Sequence, residues 1–163
     1  MSERTRNLGA FLCWLGVAGL FAGLLWHLLS SPPNYTIGAD HGAIITEQGL
    51  SQAFAMDIWF LFIGVAVGLA VGAIGWVLFH QEGWPMVVVV IGGALIAGLL
   101  AWLFGQWFGP HGFAERVVAA EPGDRVPMDL QLHSLWLLLV WPLAAILPVL
   151  GLAIWNQFRR SHS

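Results

Sequence analysis

Four side chains suited to ligand or proton chemistry stand beside long apolar runs: His27, Asp57, Gln106 and His133. Neutral imidazoles bind haem iron, copper or zinc, and a carboxylate within hydrogen-bond reach of an imidazole can serve proton transfer. If the chain brings the four together, His27 and His133 are candidate ligands for haem or a metal, Gln106 lines the same cavity, and Asp57 with His133 is a candidate acid–base pair. His41 and His111 lie in the adjoining polar stretches, as do Asp40 and Asp129. The plainer expectation is that boundary histidines bond a loop carbonyl or water and that the loop carboxylates are solvated. No two histidines share a close helical spacing, and there is no cysteine pair, nucleophile elbow or phosphate-binding glycine loop. The chain therefore reads as not an enzyme, and none of its motifs demands a cofactor.

The elements that must position these residues are membrane spans. Of 163 residues, 58% are hydrophobic and 9% charged, and ten are tryptophan, which is too apolar for a soluble domain of this size. A hydrocarbon core of about 30 Å needs roughly 20 apolar residues per helix. Four such runs occur, at 8–29, 58–79, 86–108 and 135–155, separated by polar segments 30–57 and 109–134 and a tight turn at 80–85, with a tail at 156–163. The expected fold is an all-α, four-helix transmembrane bundle forming one domain over 1–163.

Arginine sets the expected orientation, since the chain has no lysine. Arg4 and Arg6 precede the first span and Arg159 and Arg160 follow the fourth, so both termini are expected in the cytoplasm of a bacterial plasma membrane protein. The first span is longer than a signal peptide and lacks a cleavage site, so it reads as an uncleaved anchor. Cys13, the single cysteine, is expected to be a buried thiol. The first outer loop has no basic residue, and the second sets Arg116 and Arg125 against Glu115, Glu121, Asp124 and Asp129. That negative outer face argues against nucleic acid as a partner. Trp26, Trp59, Trp107 and Trp136 near the outer boundary, and Trp76, Trp84 and Trp155 near the inner one, read as interfacial belts.

The outer loops carry structure of their own. Residues 35–37 and 43–46 flank Asp40, His41 and Gly42 as a hairpin, residues 113–120 suit a short helix, "EPGD" a turn, and 126–132 a third strand. A small extracytoplasmic β-hairpin cap is expected.

Packing is written in small residues. Gly64, Gly68 and Gly72 recur every four residues in the second span, as do Gly93, Ala97, Ala101 and Gly105 in the third, and the first offers Gly16, Gly19 and Gly23. Such rows let backbones approach closely in lipid. The short turn, with Pro85 at the first helical position, makes the second and third spans neighbours whose rows can mate; the alternative is a partner protein or a second copy in the Gly64 groove. Pro142 and Pro148 in the fourth span remove donors for the carbonyls of Leu138 and Ala144, so kinks are expected there. The absence of ionisable groups at mid-membrane depth argues against a transporter, pump or pore.

The segments "HLLSSPPNYTI", "AMDIWFLFIGVAVGL", "AWLFGQWFGP" and "EPGDRVPMDLQLHSLWLLLVWPLAAIL" resemble a family of small actinobacterial four-span membrane proteins grouped as a domain of unknown function. The resemblance implies the topology and the plasma membrane, and no activity. The function expected is that of a non-catalytic accessory or assembly subunit that contacts membrane lipids and a partner membrane protein, or itself, through the Gly64 groove and the cap. The alternative is a membrane-embedded binding protein for haem, metal, quinone or lipid at the outer boundary.

Overall fold

The computed structural model describes residues 3–39 and 42–161; the expected hairpin turn at Asp40 and His41 lies outside them. Four helices are long and apolar enough to cross a membrane. Helix α1 is Glu3–Leu29, α2 Glu47–Phe79 and α3 Pro85–Phe108, and the fourth span enters through a 3-10 turn at Leu135–Leu139 before α5 at Val140–Ser161. Strands β1 (Asn34–Ile37), β2 (Ala43–Ile45) and β3 (Arg125–Pro127) and the short helix α4 (Phe113–Ala119) form the cap.

The strands pair antiparallel in the order β2-β1-β3, with Tyr35 opposite both Ile45 and Val126. β3 is shorter than the expected 126–132. Pro127 has no N–H to donate, the amide of Met128 turns to the Pro33 carbonyl (2.9 Å), and Leu130 and Leu132 are drawn into the core. The opposite end of the bundle carries the turn after α2, where Arg4 at the start of α1 meets Glu82 at 3.2 Å.

α2 begins eleven residues earlier than its apolar run. Thr46 adopts an extended conformation and its hydroxyl accepts from the amide of Gly49 (3.1 Å), while Glu47 in the first turn complements the helix dipole. Hydropathy marks where the apolar run begins, and the cap marks where the helix does. Pro85 takes the first helical position as expected, after Gly83 closes the turn at φ 73°.

Pairing differs from the expected mating of the second and third spans. α1 packs most extensively on α3 and α2 on α5, while the α2–α3 contact is minor. The Gly64 row is occupied by α5. A Cβ at Gly64 would lie 2.6 Å from Trp141 Nε1, one at Gly68 2.5 Å from the Trp141 carbonyl oxygen, and one at Gly72 would collide with the carbonyl of Ala145. The third-span row is occupied by α1: a Cβ at Gly93 would meet Leu15 and one at Gly105 would meet Trp26, while the carbonyls of Ala97 and Ala101 abut Gly19 and Gly23. Both rows are therefore consumed inside the molecule, and neither is open to a partner.

Three further expectations are corrected. Pro142 lies in the first turn of α5, where the preceding 3-10 turn removes the need for its donor; Pro148 alone interrupts the helix interior. Trp26 is fully buried rather than interfacial: its indole donates to the Met56 carbonyl (2.9 Å) and its ring meets Phe60 edge-on at 5.1 Å. Cys13 is exposed, because α1 buries Phe11 and Leu15 and position 13 points about 200° away from Phe11 around the helix. Trp59, Trp107 and Trp136 are exposed at the cap end, and Trp84 and Trp155 at the other.

Candidate functional site

The junction between helices and cap holds the residues singled out for chemistry, and the structure divides them. Asp57, on α2, is the one that reaches across: its Oδ1 accepts from the backbone N–H of His133 at 3.1 Å. The His133 Nδ1 stands 3.5 Å from the same oxygen, beyond the usual hydrogen-bond range of about 2.7–3.2 Å, so the backbone bond fixes the contact and the ring is only drawn toward it. With 15% of its side chain exposed, Asp57 ties the entry of the fourth span to α2.

Gln106 lies elsewhere, in a cavity of about 270 Å³ lined by Pro110, His111, Asp129, Leu130 and Gln131, and none of His27, Asp57 or His133 contributes to it. His27 sits against Phe108 (ring centroids 6.3 Å apart), with its Nδ1 buried and unpartnered. The cavity at Gln106 thus does not include His27 or His133, which were expected to share it. Among the described residues, no group of three or more His, Cys, Asp or Glu side chains could hold a metal ion.

Asp129, read from the sequence as a solvated loop carboxylate, is instead the centre of a clasp. Its Oδ1 accepts from Arg116 Nη2 (2.7 Å) and its Oδ2 from the amide of Phe113 (3.3 Å), while Arg116 also donates to the Pro127 carbonyl (2.9 Å). α4 is thereby pinned to the segment after β3, and the ring of Phe113 lies 5.1 Å from that of Tyr35 on the sheet. On the side of α2, residues Asn34, Thr36, Thr46, Gln48, Gln52 and Arg125 line a shallow polar cleft of about 240 Å³.

A surface feature that the apolar runs do not mark lies at this junction. Trp26 and His133 meet α2 at Met56 and Asp57, while α1 and α3 end about one turn above that level, so the first turns of α2 run on past them beside the cap, where Gly49 meets Ile45 and Pro33. On this part of α2 Leu50 is 57% and Phe54 68% exposed, one helical turn apart and in line with exposed Ile58; Ile44 of β2 is exposed as well. The signal in the sequence is Thr46 followed by Glu47, a helix start well ahead of the apolar run.

Comparison of the chain with family models, with curated proteins and with solved structures finds no match. Fold and function therefore rest on the geometry above: an all-helical bundle with four helices fit to span a membrane and a three-stranded cap at one end.

Proposed function

We propose that this chain is a non-catalytic accessory or assembly subunit of the bacterial plasma membrane, inserted with both termini in the cytoplasm and the cap outside. Charge supports that orientation. The segments at the cap end, 30–134 without the turn at 80–85, hold seven acidic and two basic residues, against four arginines and two acids at the other end.

The observation that carries the reading is the exposed stripe on the first turns of α2. Headgroup layers add only about 5–8 Å to each side of the hydrocarbon. With Ile58 at the hydrocarbon edge, Phe54 stands about 6 Å and Leu50 about 12 Å farther out, so lipid covers Phe54 at best and leaves Leu50 to water or to another protein. Apolar side chains aligned on a capped, rigid helix are the kind of surface a partner covers. The glycine rows, already filled, have no part in it.

The test is site-specific photocrosslinking in native membranes, with benzophenone placed at position 54 and, as control, at position 121 in the acidic turn of the cap. A discrete protein adduct at 54 and none at 121 is expected; adducts to lipid alone at both positions contradict the proposal. A second reading, a ligand site at the same boundary, is favoured by the buried, unpartnered Nδ1 of His27. A visible haem band that is lost on His27→Phe would support it over the first.

A further inference from the structure

We infer that the end of the molecule opposite the cap binds the phosphate headgroup of an anionic phospholipid, in the cleft between the last turns of α2 and α5. The inference rests on the membrane placement proposed above. The cleft encloses about 210 Å³ and is lined by Trp76, His80, Ala153, Asn156, Gln157 and Arg160. The α5 residues recur at i, i+3, i+4 and i+7 and Trp76 and His80 at i, i+4, so each helix gives one continuous face to it.

The lining is a guanidinium, an imidazole and two carboxamides, with no carboxylate among them, and this is phosphate-binding chemistry. Glu82, the acid in the turn that follows α2, is engaged by Arg4 at 3.2 Å, and Glu3 by Arg6 at 3.6 Å. The His80 ring is held in place: its Nδ1 donates to the Trp76 carbonyl (3.1 Å) and the ring stacks on the Trp76 indole at 5.8 Å and 25°. Nε2 is the polar atom left for a ligand. Both helices end here with their carbonyls outward, which repels an anion, so the attraction must come from side chains; Arg159 and Arg160 in the last turn of α5 supply it. A free phosphate would satisfy the same polar groups, and competition with it tells the two sources apart.

The experiment measures lipid retained by the full-length protein in detergent, by native mass spectrometry, after exposure to phosphatidylglycerol or phosphatidylcholine, with inorganic phosphate as competitor. Retention of phosphatidylglycerol is expected to exceed that of phosphatidylcholine, to fall about fivefold in Arg160→Gln, and to stay near wild type in Arg159→Gln, which loses the same charge outside the cleft. Asn156→Ala, an exposed and uncharged change, is expected to weaken retention as well. Equal losses in Arg159→Gln and Arg160→Gln, equal retention of the two lipids, or displacement by millimolar phosphate would overturn the inference. Carbonate extraction of the same variants reports insertion separately: a chain that is extracted overturns the membrane placement, whereas one that stays inserted without lipid preference overturns only the cleft.

Discussion

Trp141 shows how single residues decide the packing of this bundle. It is fully buried on α5, with its indole lodged where Gly64 and Gly98 lack side chains and 5.6 Å from the ring of Phe60, which in turn meets Trp26. Gly68→Leu places a branched side chain against the Trp141 carbonyl and Ala144, so it is expected to destabilise the bundle by about 1–3 kcal/mol, as overpacking does. Gly92→Ala, where nothing lies within 4 Å of the added carbon, is expected to be tolerated. Thermal unfolding in detergent checks both, and an unchanged midpoint for Gly68→Leu contradicts this placement of α5. The spacing of the glycine rows was readable from the sequence, but their partners were not. Three rows of small residues can mate in more than one way, and the choice depends on where bulky residues such as Trp141, Leu15 and Trp26 fill the slots.

Among the elements, the cap held most closely to what local chemistry predicts. Two β-prone runs, a short helix at Phe113–Ala119 and a turn with Gly123 at φ 99° all form, because turn residues and alternation act over a few positions. What fastens them was not legible, since Arg116 and Asp129 are thirteen residues apart and only the folded chain brings them together. Arg116→Ala should release α4 from the segment after β3 while the spans stay intact. Hydrogen exchange of the amides in 113–119 is expected to rise about tenfold, with α1 and α3 unchanged; equal protection in variant and wild type would contradict the clasp. Element boundaries were legible only where a cap or proline marks them. Hydropathy placed the start of the second span at 58, and the first turns of α2, with Leu50 and Phe54, lay hidden in a segment that composition alone assigns to a loop.

At the scale of the whole molecule, the two ends differ in charge and in shape, and the sides are apolar. Acids gather around the cap and arginines around the termini, the asymmetry on which the proposed orientation rests. The interior is packed with glycine, alanine and aromatic rings, while the residues chosen for ligand chemistry part into an Asp57–His133 tie, a cavity at Gln106 and an isolated His27. The proposed role in contact rests on the exposed apolar side chains of the first turns of α2. The most direct measurement is affinity purification of the tagged protein from native membranes in nanodiscs, comparing wild type with the double variant Leu50→Asp/Phe54→Asp and quantifying what accompanies each by mass spectrometry. A membrane protein recovered in near-equal amount with wild type and lost from the double variant, with both forms equally inserted, is the result predicted. Wild type recovered alone, or the same companion retained by both forms, would contradict it.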